Sequence, residues 1–134
     1  MTEQEENLPQ LPGYEVTDAV CLGRRSLIYR GKRQADGDEV MLKLPSPEYV
    51  DGGDPAYLRH EFEMMQRLFG EHVVTAHALE RHNDRSFLVL EDFGGESLDR
   101  IVRRRPLDLR EALDIGVQVA DGLADICHGL QLLL

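Results

Sequence analysis

Val40-Met41-Leu42-Lys43-Leu44 sets one lysine inside a run of otherwise apolar residues. The run has strand character, and together with Asp38 and Glu39 it predicts a strand over residues 38–44. Lysine is almost never buried without a partner, so its place in this run asks for an explanation. One reading is a solvated lysine on an edge strand. The other is a lysine held for an anion, with a carboxylate fixing its position. What surrounds the run decides between them.

Upstream, residues 14–22 and 26–33 also read as strands. Asp36-Gly37 supplies turn chemistry before residues 38–44, because both residue types tolerate positive φ. Pro45 and Pro47 then remove amide donors and end strand pairing. Downstream, Asp51-Gly52-Gly53-Asp54 forms a loop, with Asp54 as helix N-cap and Pro55 as first helical residue. Leu58, Phe62, Met65 and Phe69 recur at helical spacing, and Gly70 is the expected stop. Strands are expected again over 72–80 and 86–91, with Asn83-Asp84 turning between them. Ser97 can cap a short helix ending at Pro106. Asp108 and Glu111 form a capping-box start for a longer helix with the stripe Leu113, Val117, Ala120, Ala124 and Cys127.

The helix after the lysine strand carries a candidate carboxylate. Glu61 lies three residues after Leu58 and four before Met65, so it borders the apolar stripe and can turn inward toward Lys43. Glu63 is the rival and projects to a different face. Taken alone, Glu61 also reads as a solvated helix residue.

A strand-borne lysine, a helix carboxylate, two further strands and then Leu88-Val89-Leu90-Glu91-Asp92-Phe93 occur in an order that resembles the amino-terminal lobe of protein kinases. The resemblance implies an α+β fold: a five-stranded antiparallel sheet with one regulatory helix, then a hinge and the first two helices of an incomplete carboxyl-terminal lobe. It implies ATP with Mg2+ as cofactor, held by Lys43 with Glu61 as its partner and by Gly23 in the phosphate loop. Backbone groups of Glu91 and Phe93 would meet the adenine edge, and Leu90 would gate the back of the pocket. Three strings sharpen the match: Ser26-Leu27-Ile28-Tyr29-Arg30-Gly31, Leu42-Lys43-Leu44 and Glu91-Asp92-Phe93-Gly94-Gly95-Glu96-Ser97-Leu98. They resemble serine/threonine-kinase-like domains at the front of large bacterial multi-sensor signalling proteins. The resemblance covers residues 13–128. It divides the chain into an acidic tail (1–12), a kinase-like lobe (13–92), a hinge with the first helices of a second lobe (93–128) and an aberrant tail (129–134).

Two features depart from the family pattern. The family's phosphate loop has three glycines, which let backbone amides approach phosphate closely. Only Gly23 stands here, followed by Arg24 and Arg25, whose guanidinium groups can themselves donate to phosphate. After Cys127-His128-Gly129 the chain runs into Leu130-Gln131-Leu132-Leu133-Leu134, with neither the loop that carries the base aspartate nor the Asp-Phe-Gly metal motif. Asp114-Ile115-Gly116 lies inside a helical pattern and does not replace it. No catalytic or metal-binding residue is assigned. His72, His77 and His82 share no helix face and do not read as a metal site.

Composition narrows the alternatives. The 134 residues are 42% hydrophobic, enough for one domain with one core. A net charge of -10 opposes nucleic acid and anionic membrane surfaces, since phosphates repel it. No apolar run approaches the roughly 20 residues of a membrane span. The two cysteines, Cys21 and Cys127, suit reduced thiols, so a cytoplasmic location is expected. Three functions remain open: a truncated serine/threonine kinase acting on protein substrates, a pseudokinase-like nucleotide-binding module that signals through protein contacts, or an interaction fragment without nucleotide. The stripe Leu113 to Cys127 further suggests self-association.

Overall fold

The computed structural model describes residues 8–47, 56–68 and 70–131. Its elements run β1 (Tyr14–Leu22), β2 (Ser26–Arg33), β3 (Glu39–Pro45), α1 (Ala56–Met65), β4 (Ala76–His82), β5 (Arg85–Glu91), α2 (Leu98–Arg104) and α3 (Leu109–Gln131). The strands form one antiparallel sheet in the order β1-β2-β3-β5-β4. The expected α+β arrangement of a five-stranded antiparallel sheet and a helix is therefore present. The proposed cap at Asp54, Pro55 and the stripe residue Phe69 lie outside the described residues, as does most of the tail.

Turn chemistry closes the hairpins where the residues allow it. Gly37 takes φ 75° between β2 and β3, and Asp36 accepts the Asp38 amide at 3.0 Å. Asn83 and Asp84 both adopt positive φ, 48° and 61°, the geometry that matches the twist of a two-residue hairpin. One glycine serves packing instead. A Cβ on buried Gly31 would stand 2.7 Å from the Glu15 carbonyl of β1, so only glycine lets β1 and β2 approach this closely.

Alternation along β3 and β5 gives the sheet two apolar faces. On one face Tyr14, Tyr29, Leu42, Leu44, Phe87 and Val89 cluster, with Tyr14 edge-on to Phe87 at 5.8 Å between ring centroids. Leu11, expected within the tail, lies in this cluster and is 4% exposed. On the opposite face Met41, Leu88 and Leu90 meet Leu58, Phe62 and Met65 of α1. The stripe read from the sequence is thus the face that α1 buries.

Two boundaries differ from expectation. α1 ends at Met65, before Gly70, because its last turn tightens through Arg67 N to Met64 O and Leu68 N to Met65 O. β4 begins at Ala76 instead of residue 72: Val74 packs into the α1-side cluster and is not part of the strand. α3 carries apolar residues on two faces. Gly122 packs beside His72, while Leu113, Val117, Ala120, Ala124 and Cys127, the stripe read from the sequence as lacking a partner here, are all exposed. Both helix starts are as read: Ser97 caps α2, and Asp108 and Glu111 exchange backbone-to-carboxylate bonds at 3.0 and 2.8 Å ahead of α3.

Candidate functional site

β3 is the middle strand of the sheet, so Lys43 is not on an edge. It shares the α1 face with Met41, two residues earlier. Its Nζ donates to Glu61 Oε1 at 2.6 Å, and the side chains are 20% and 32% exposed. Glu63 is exposed and points elsewhere. The pair is charge-assisted, half-buried and reachable from solvent, which leaves the ammonium's other protons available to an anion.

The rows of the sheet arrange the rest of this face. Ile28 stands opposite Lys43, and Lys43 opposite Leu88. One step along, Arg30 faces Met41 and Met41 faces Leu90. Directly opposed residues share a face, so Ile28, Met41 and Leu90 form an apolar floor beside Lys43. Gly23 lies in the short β1–β2 connection, which closes through Gly23 N to Ser26 O at 3.0 Å. That connection is pinned from two sides: the Arg25 carbonyl accepts the Ser46 amide at 2.8 Å and the Tyr57 hydroxyl of α1 at 3.3 Å. Burial, with the Glu61 carboxylate one helical turn away, pushes the Tyr57 hydroxyl above its ordinary range. Arg24 and Arg25 are exposed at the loop tip.

Beyond Leu90 the chain leaves the sheet under tight control. The Glu91 amide donates to the Thr75 carbonyl at 2.9 Å, and Glu91 Oε1 accepts the Thr75 amide at 2.9 Å. Asp92 turns inward, its side chain only 1% exposed, and meets Arg30 of β2 at 2.7 Å. Phe93 turns outward and is 68% exposed. Lys43, Glu61 and Leu90 are therefore brought onto one face, with Glu91 and Phe93 at its rim and Gly23 in the loop beyond Ile28.

Tyr57, Arg30 and Asp92 were not singled out from the sequence. Arg30 carried the same signal as Lys43, a cation between strand-forming residues. Asp92 sat inside a quoted string without a role.

Two curated proteins are similar to this chain. A probable myosin light chain kinase of Dictyostelium discoideum is 26% identical over 121 residues, which cover 86% of this chain and 31% of that protein. CBL-interacting protein kinase 25 of rice, Oryza sativa subsp. japonica, is 33% identical over 94 residues, covering 69% of this chain and 18% of that protein. The chain is kinase-like. It spans less than a third of the length of either relative. No family model matches it. The sheet order and the helix against it are compatible with the amino-terminal lobe of a protein kinase, as the quoted strings implied.

Phosphoryl transfer needs oxygen ligands for magnesium as well as a phosphate site. Among the described residues no group of three or more His, Cys, Asp and Glu side chains could hold a metal ion. No helix of the described residues is long and apolar enough to cross a membrane.

Proposed function

We propose that this chain is the ATP-binding lobe of a serine/threonine protein kinase in signal transduction, and that these residues hold nucleotide without transferring phosphate alone. One observation carries the reading: the 2.6 Å Lys43–Glu61 pair on the central strand, facing the same side as the Ile28–Met41–Leu90 floor. A cation fixed by a carboxylate beside a flat apolar surface suits a ligand with a polyphosphate at one end and a heterocycle at the other. Lys43 would hold the phosphates and Glu61 would hold Lys43. Ile28, Met41 and Leu90 would meet the base, and the backbone of Glu91 and Phe93 would meet its polar edge. The net charge of -10 makes this local cation necessary, because the chain as a whole repels a polyanion. The Glu91–Leu98 string supports placement among the bacterial multi-sensor signalling proteins, and the protein partner would be a substrate or signalling protein.

The tight Gly23–Ser26 turn favours a second reading. With one glycine and one amide already bonded, the loop has fewer donors to offer phosphate, as expected of a pseudokinase-like interaction module. Calorimetry separates the two. ATP should bind the unaltered chain and bind Lys43→Ala at least about tenfold more weakly, the loss of one charge-assisted contact. Absence of ATP binding to the unaltered chain, with and without Mg2+, leaves the interaction module as the function.

A further inference from the structure

Arg30 and Asp92 form a second buried-side ion pair on the sheet, separate from Lys43–Glu61. Asp92 is an enclosed carboxylate, with a side chain 1% exposed. Its Oδ2 accepts Arg30 Nε at 2.7 Å, and its Oδ1 accepts the Gly94 amide at 2.8 Å. The other arm of the guanidinium, Nη2, donates to the Gly95 carbonyl at 2.7 Å and lies 3.5 Å from Asp92 Oδ1. One arginine thus grips both ends of the four-residue segment that follows β5. Gly94 sits between those contacts with φ 76°, a conformation that glycine adopts without strain.

A segment that leaves the end of a strand and must present its backbone to a ligand gains affinity from being held still beforehand. Water-exposed loops rarely achieve this by themselves, and here the fixing group comes from another strand. Arg30 stands in the row Arg30–Met41–Leu90, on the same face as Lys43. Its grip therefore works at the adenine end of the face, one row away from the phosphate end. Arg100 of α2 adds a weaker, exposed tie by donating to the Ala19 carbonyl of β1 at 2.8 Å.

We infer that Arg30 is a positioning residue for base recognition: with Asp92 it fixes residues 92–95 in the conformation that meets the heterocycle, without touching the phosphates. The inference rests on the nucleotide reading above.

The test uses the full chain with two probes, adenosine and inorganic tripolyphosphate. Arg30→Met keeps the stem and removes every donor. Adenosine binding should weaken about tenfold in Arg30→Met and in Asp92→Asn, because charge-assisted bonds that fix the segment are lost. Tripolyphosphate binding should stay within about twofold, since the bonds of Arg30 run to Asp92 and Gly95 and that of Lys43 to Glu61. In the ligand-free variants the Gly94 amide should exchange faster with solvent than in the unaltered chain. Adenosine binding that survives Arg30→Met overturns this inference alone, as does a parallel loss of tripolyphosphate binding, which signals general loosening. If the unaltered chain binds neither probe, the nucleotide reading falls and takes the inference with it.

Discussion

The sheet and α3 have comparable apolar content and opposite fates for it. On β3 and β5, Val40, Leu42, Leu44, Phe87, Leu88 and Val89 are at most 1% exposed. On α3, Leu109, Leu113 and Val117 are 76%, 60% and 60% exposed. The sheet buries its side chains on both faces, one under the Leu11–Tyr14 segment with the outer cluster and one under α1. α3 meets the rest of the described residues on the side that carries the half-buried Ile115 and Ile126, with Gly122 beside His72 and Asp125 beside Gly70. The sheet is thus a self-sufficient body that can hold a site in place. α3 leaves its Leu113–Val117 face exposed, so substitutions there should matter less than those in the sheet.

The comparison breaks most easily through the cores. Leu42→Ala removes a side chain at 0% exposure from the central strand and should cost about 3 kcal/mol. Leu113→Ala on α3 should change stability by no more than about 0.5 kcal/mol. Urea denaturation of both variants checks this, and equal losses would mean that the Leu113 face is covered in solution. The same contrast should appear without mutation. Amide exchange at β3 should require global unfolding, whereas amides of α3 should exchange about 100-fold faster through local opening. Uniform protection along both elements would remove the distinction.

How much of this was readable from the residues alone follows the same division. Local signals worked. Asp36-Gly37 and Asn83-Asp84 named two hairpins, Ser97 and Asp108 with Glu111 named two helix starts, and the Leu58–Phe62–Met65 stripe named the buried face of α1. Lys43 with Glu61 was legible because each carried its own anomaly, a cation in an apolar strand and a carboxylate bordering an apolar stripe. Arg30 and Asp92 were missed because their meaning lies in each other, across a separation of 62 residues. The early start expected for β4 came from Val73 and Val74, which look like strand residues. Val74 instead fills space under α1, a choice only the tertiary fold makes. The docked side of α3 was not read from the residues for a related reason: both sides of the helix are apolar, and periodicity cannot say which side docks.

Acid should separate the two regions by the smallest margin. The junction of α2 with α3 is held by exposed ion pairs. Arg104 grips Glu96 at 2.8 and 3.0 Å, and Arg105 grips Glu111 at 3.0 and 2.9 Å. The Arg104 guanidinium beside Glu96 holds its carboxyl below the usual range, and Arg105, aided by the Asp108 amide, does the same for Glu111. A carboxyl lowered in the folded state contributes stability above its unfolded value and loses it as pH falls through the lowered one. The helices should therefore loosen in the window below the ordinary glutamate range. On the sheet side the lowered carboxyl is that of Asp36, in the exposed β2–β3 turn outside the buried apolar clusters, so the sheet's response should be weaker. Helical ellipticity followed from neutral to acid pH, alongside tyrosine fluorescence from the sheet, measures both regions together. Arg104→Gln isolates the cause: without that guanidinium the Glu96 carboxyl rises back toward its ordinary range, and the acid loss of ellipticity should shrink and move to higher pH. An unchanged acid profile in that variant would assign the loosening to another group.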